Sequence, residues 1–159
     1  MEARLNYTKT APGAYHALLG LERYLHECGL EEPLLHLIKF RASQINGCAY
    51  CLDMHWKDLR AIGELEQRLY SLDAWRECPY YTERERAALA WTEAVTLITD
   101  GHVPDGVFEE ASRQFNEKEL SDLTLAVATI NAWNRLSIAG RTVPGTYQPP
   151  KVRDVKKGS

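Results

Sequence analysis

"INGCAYCLDMHWKDL" (residues 45–59) is the stretch on which the reading of this chain turns. It carries Cys48 and Cys51 as C-x-x-C, with His55 four residues beyond the second cysteine. On a helix advancing ~100° per residue, Cys51 lies about 300° round from Cys48 and His55 about 700° round. The three side chains then share one stripe about 60° wide, with His55 one turn beyond Cys51. Asn46-Gly47 breaks the preceding helical period and places Cys48 in the first turn, where free N–H groups and the helix dipole favour a thiolate. A nearby imidazole can take the thiol proton, and two adjacent cysteines allow attack by one and resolution by the other as a disulfide.

Three other readings of the same residues compete. The cysteines could be small apolar fillers on a buried helix face. A zinc site needs further ligands: His36, Cys28 and Cys78 are available, but none stands at a convincing spacing, and no metal is expected. Attachment of haem requires His directly after the second cysteine, and Leu52 stands there.

Outward from this motif the chain reads as helix after helix. One runs from the Ala11-Pro12-Gly13 start through Leu18, Leu21, Leu25 and Cys28 to a stop at Gly29. A second spans Glu31 to Asn46, with Leu34, Leu37, Ile38, Arg41 and Ile45 on one stripe. The motif helix continues to about Ile62, with Gly63 as its stop. A short helix over 64–75 follows, interrupted by Pro79. Thr82 and Glu85 form a capping box that opens a helix through Leu89, Thr92, Val95 and Thr96. Pro104 starts another, to about Phe115, and the longest runs over 117–139 to Gly140. No period-two, β-branched alternation competes, so the expected fold is all-α, with about six to seven helices in one domain over 1–142. The tail from Val143, with three prolines and little apolar content, is expected to be disordered or laid across a neighbouring subunit.

Composition narrows the function. The 159 residues are 45% hydrophobic and 26% charged, with 19 basic and 22 acidic side chains and a net charge of −3. No basic block exists in the body of the chain, which argues against nucleic acid as a partner. The first twenty residues hold no sustained apolar run, and no segment approaches the roughly 18 apolar residues of a membrane span. A cytoplasmic protein with no membrane partner is expected. In that setting a C-x-x-C is more often redox-active or metal-binding than architectural.

The segment "LHLIKFRASQINGCAYCLDMHWKDLRAIG" (35–63) resembles the core of the alkylhydroperoxidase D-like branch of the carboxymuconolactone decarboxylase superfamily. The similarity extends to residues 74–98 and 123–136. C-x-x-C-x-x-x-H after R-x-S-x-x-N-G carries it. The resemblance implies an all-helical fold, homo-oligomers (trimers or hexamers) and peroxidase or disulfide-reductase activity without a cofactor. It implies Cys51 as the peroxide-attacking thiolate, Cys48 as the resolving cysteine and His55 in the proton relay. The order of attack differs from the dipole argument, which favours Cys48 as the more acidic thiol. Two positions depart from the family pattern: His36 stands where a relay glutamate is usual, and Tyr50 where a histidine often lies inside the C-x-x-C. His36 can still shuttle protons, with Glu32 one turn earlier to orient it.

The expected function is therefore reduction of a small hydroperoxide, with an external dithiol, thioredoxin-like or lipoyl protein as reductant. A carboxymuconolactone-type decarboxylase and a non-enzymatic oligomeric thiol sensor are the alternatives. Glu93 and His102 are candidates either for a pocket or for surface contacts. Asn131, Trp133, Asn134 and Arg135 suggest a buried hydrogen-bonded contact between helices or subunits. His16 and His26 read as solvated or packing residues.

Overall fold

A computed structural model describes residues 2–150. The helices are α1 (Tyr7–Thr10), α2 (Pro12–Glu27), α3 (Glu32–Asn46), α4 (Ala49–Ala61) and α5 (Glu66–Tyr70), then a 3-10 segment (Leu72–Glu77). They continue as α6 (Glu83–Thr96), α7 (Asp105–Gln114) and α8 (Glu117–Gly140). Six of these exceed two turns, three are short, and no strand occurs among the described residues. The all-α expectation holds.

The middle of the fold is α3, which packs against α4, α6 and α8 at once. Its sequence shows one apolar stripe, but the helix is buried on two faces. Leu34, Leu35 and Ile38 join Leu25, Ala88, Leu123, Ala126 and Val127 in one core. Leu37 and Phe40 join Leu59, Leu72, Trp75 and Leu89 in the other. Burying each of these large side chains contributes about 1.5–3 kcal/mol. Ala42, Ala88 and Ala126 are fully buried and let the helices approach closely.

Local chemistry sets the helix ends. Thr82 and Glu85 form the expected capping box on α6. Asn116 and Glu119 form a second on α8, which the sequence reading passed over. Gly47, at φ +66°, ends α3 in the left-handed region. There the Gly47 N–H donates to Gln44 O (3.2 Å) and the Cys48 N–H to Ser43 O (3.0 Å), the paired bonds of a Schellman turn.

Arg41 belongs to the stripe of α3 yet carries a charge, and its partner explains its burial. It donates to Glu93 at 2.9 Å and to Asp73 at 2.6 Å, and Trp75 Nε1 donates to Glu93 at 2.8 Å. Arg76 also pairs with Glu93. This network joins α3, α6 and the 3-10 segment. Burial opposes the charged form of Glu93, but bonds from Trp75, Arg76 and Arg41 together outweigh it and hold the carboxyl below its usual value. A depressed carboxylate stabilises the fold above its unfolded pKa and loses that contribution as pH falls through the folded one. Glu93→Gln is therefore expected to lower stability at pH 7 by about 1.5–3 kcal/mol, the worth of a charge-assisted bond. In urea unfolding, the gap from wild type should be constant above pH 5 and close as the pH drops below the ordinary glutamate value. A gap that widens in acid would contradict this assignment.

Candidate active site around the Cys48–Cys51 pair

The corner between α3 and α4 is held from α8. Asn46 Nδ2 donates to Asn131 Oδ1 (3.0 Å) and to Asn134 Oδ1 (2.9 Å). Asn134 Nδ2 donates to Ser43 Oγ (3.1 Å), and Asn131 Nδ2 to Thr96 Oγ1 (3.0 Å). The polar residues of "NAWNRL" thus make the buried interhelical contact their placement suggested. Trp133 Nε1 adds a bond to Glu22 at 3.0 Å.

From this corner the motif follows. Cys48 is the N-cap of α4, with extended backbone (φ −85°, ψ 95°), so the helix proper begins one residue later than the stripe argument assumes. Its Sγ accepts the Cys51 N–H at 3.4 Å, and the two cysteines form a disulfide across a Cα–Cα distance of 5.4 Å. Both are almost fully buried. One turn on, His55 is buried too, and the His36 ring from α3 lies 5.9 Å from it, centroid to centroid. All four residues proposed from sequence therefore meet in one place.

Asp58 completes the group. Its Oδ2 lies 3.8 Å from His55 Nδ1 and 3.9 Å from His36 Nδ1, while its Oδ1 accepts the Tyr147 hydroxyl at 2.6 Å. Glu32 reaches His36 Nε2 at 3.8 Å, beyond hydrogen-bond distance. His36 Nδ1 and both ring nitrogens of His55 are buried and have no hydrogen-bond partner. Burial, with Lys39 and His36 adding to it, holds the His55 imidazole well below its usual pKa, hence neutral at pH 7. Burial and Lys39 also lower His36, against the opposing pull of Asp58 and Glu32. The Lys39 ammonium is buried against Glu22 at 2.5 Å.

These groups border a cavity of about 570 Å³. Tyr15, Leu19 and Trp133 form its apolar side, and Tyr50, Cys51, Met54 and His55 its α4 side. Cys51 lies in this wall, whereas Cys48, equally buried, does not. Tyr50, in the C-x-x-C where the family often has histidine, is half-buried, and its hydroxyl is held above its usual pKa by burial, with Tyr15 and Asp53 adding to it. A second hollow of about 480 Å³ lies across His36, Lys39 and Asp58, which border both spaces.

Over residues 145–147 the tail lies along α4 of its own chain: Gly145 N–H donates to Asp53 (3.0 Å), Lys57 donates to Tyr147 O (3.1 Å), and Tyr147 bonds Asp58. A polar strap, not apolar burial, holds it to α4, and residues 151–159 lie outside the described region. Glu93 is held in the ion-pair network, and His102 is exposed on a left-handed turn (φ 58°); neither borders the cavity. His16 and His26 are exposed, as read. The sequence reading missed Asp58, Tyr147, Lys39 and Glu22. Of these, Asp58 had a visible signal, three residues after His55 and so on the same helix face.

The buried Cys48–Cys51 pair, with a neutral imidazole one turn along, thus lies in an all-helical bundle. The carboxymuconolactone decarboxylase family model matches residues 12–94, and this chain belongs to that family, in its alkylhydroperoxidase D-like branch. It is 42% identical over 139 residues to the uncharacterized protein YdfG of Bacillus subtilis (strain 168), covering 87% of this chain and 95% of that one. A solved protein of unknown function from Agrobacterium tumefaciens, proposed to be the antioxidant defence protein AhpD, shares 44% identity at a TM-score of 0.88, over 92% of this chain and all of the other. The debrominase Bmp8 has the same fold at 21% identity and a TM-score of 0.70, over 85% of this chain and 73% of its own. No helix among the described residues is long and apolar enough to cross a membrane.

Replacing Asn46 tests whether α8 positions the motif. Asn46→Ala leaves the Asn134 side-chain oxygen without its donor and that of Asn131 with Arg135 alone, and should cost about 1–3 kcal/mol in urea unfolding. Alkylation of the reduced Cys51 should slow in parallel. Unchanged stability together with unchanged alkylation would contradict the clamp.

Proposed function

We propose that this protein is a thiol-dependent peroxidase that reduces organic hydroperoxides through Cys51 and Cys48. The observation that carries the reading is the position of Cys51 in the cavity wall, with Cys48 joined to it from behind and a neutral imidazole one turn along.

The chemistry balances as follows. His55 takes the Cys51 thiol proton, and the thiolate attacks the terminal oxygen of R–O–O–H. The O–O bond breaks, the leaving alkoxide takes the proton from His55 and departs as ROH, and Cys51 becomes a sulfenic acid. The Cys48 thiolate attacks the Cys51 sulfur, water leaves, and the disulfide closes. An external dithiol then returns both cysteines to thiols and is itself oxidised to a disulfide. His36 and Asp58, bordering the second hollow, provide a route by which protons exchange with solvent. The apolar side of the cavity favours an organic R group over hydrogen peroxide. No cofactor takes part in this scheme.

A second reading draws on the same walls: two imidazoles and a carboxylate beside a cavity also suit the acid–base chemistry of a decarboxylase. The cysteines separate the two. In a coupled assay with cumene hydroperoxide and excess dithiol, Cys51→Ser should abolish turnover. Cys48→Ser should allow formation of a Cys51 sulfenic acid that dimedone traps, without closure of the intramolecular disulfide. His55→Gln should reduce kcat/KM by about 10²–10⁴-fold, the usual worth of a positioned acid–base group. Retention of hydroperoxide turnover by the Cys48→Ser, Cys51→Ser double variant would overturn the proposal.

A further inference from the structure

The group formed by His36, His55 and Asp58 has a chemistry of its own, whatever the cysteines do. Each residue offers one ligand atom, and the three atoms lie within 4.8 Å of one another. The carboxylate oxygen stands 3.8 and 3.9 Å from the two Nδ1 atoms, too far for hydrogen bonds in either direction. Buried imidazole nitrogens ordinarily find a partner, yet His36 Nδ1 and both nitrogens of His55 have none. His55 is only 4% exposed. The set is thus poorly explained as a hydrogen-bonded relay at rest.

We propose that His36, His55 and Asp58 form a binding site for a divalent transition metal ion, of which Zn²⁺ fits best. Imidazole nitrogens and a carboxylate oxygen bind zinc at about 2.0–2.2 Å, which puts neighbouring ligand atoms about 3.3–3.5 Å apart in a tetrahedron. The two carboxylate–imidazole separations need to close by about half an ångström to match that geometry, and the widest pair, within 4.8 Å, by up to about 1.4 Å. Side-chain torsions supply such a movement. Asp58 is already oriented for the task, because the Tyr147 hydroxyl holds Oδ1 at 2.6 Å and leaves Oδ2 for the imidazoles. Carboxylate ligands are commonly fixed by outer partners of this kind. The Lys39 ammonium, which would oppose a cation, is paired with Glu22 at 2.5 Å. The second hollow, bordered by His36 and Asp58, gives an ion a way in that does not pass the disulfide.

This site differs from the one the sequence offered for zinc, since it uses no cysteine and adds Asp58. It also gives meaning to His36, the departure from the family's glutamate: the second imidazole turns a mainly carboxylate surrounding into a set with the nitrogen ligands that zinc prefers. Three protein ligands leave a fourth position for water. Zinc bound here occupies the His55 lone pair that the thiol reaction needs, so metal and peroxide turnover exclude one another; this consequence rests on the function proposed above, and the site itself does not.

The test is calorimetric titration of ZnCl₂ into the full-length, chelator-treated protein with the Cys48–Cys51 disulfide intact. Cys28→Ser and Cys78→Ser remove the remaining thiols, and thermal unfolding checks that each variant is folded. One ion per chain, bound in the micromolar range or tighter, is expected, with affinity falling at least tenfold in Asp58→Asn and in His36→Phe. A Co²⁺ titration should give a visible absorption band that both substitutions remove. Tyr147→Phe, which leaves all three ligands in place, should weaken binding by about 10-fold or more through the outer shell. Absence of binding in the folded protein, or binding that survives both ligand substitutions, would overturn the site. If Zn²⁺ binds as described but leaves hydroperoxide turnover untouched, the exclusion is overturned and the site stands. A protein that binds Zn²⁺ here and turns over no hydroperoxide under metal-free conditions contradicts the peroxidase reading alone.

Discussion

The Asn46-Gly47 corner is the constraint on which the rest depends. A left-handed residue ends α3 there, and the Asn46 amide reaches two carbonyls of α8. The corner fixes where α4 begins, and with it the N-cap position of Cys48, the place of Cys51 in the cavity wall and the approach of His55 to His36. The clamp is built from buried polar groups that satisfy one another. Such an arrangement specifies a single geometry because any displacement leaves amides unpaired. Apolar packing alone, which tolerates sliding, gives no such register.

Against that background the site stands out by breaking the rule. Asn131, Asn134, Ser43 and Thr92 are all buried with their hydrogen bonds made. The buried His55, Nδ1 of the half-buried His36 and the Thr129 hydroxyl are without them. This contrast between satisfied structural amides and unpartnered imidazole nitrogens is the feature on which the proposed proton and metal chemistry draws. The unfavourable burial is offset elsewhere, by two cores that meet on α3 and by the Arg41–Glu93 network.

Much of the fold was legible because its signals are local. Gly47, Gly63, Pro104 and the Thr82–Glu85 box mark helix ends through backbone chemistry confined to a few residues. The double-sided burial of α3 was hidden, since Lys39 and Arg41 are charged and the partners that admit them to the interior lie 17 and 52 residues away. Cys48, Cys51 and His55 were legible as one site because they share a helix and its cap. His36 entered by its position relative to the cysteines. Tyr147 lies 89 residues from the Asp58 it bonds, in a proline-containing tail with no periodicity to place it. No local pattern could supply that contact.

The central claim is that Cys48 and Cys51 act as one two-electron redox unit facing a substrate cavity. Its most direct measurement is the thiol count of the fully reduced, native protein before and after one equivalent of cumene hydroperoxide, followed by peptide mapping. The account predicts the loss of two of the four thiols, recovered as a Cys48–Cys51 disulfide, with Cys28 and Cys78 still free. Peroxide that leaves this pair reduced, or is consumed at Cys28 or Cys78 instead, would contradict it.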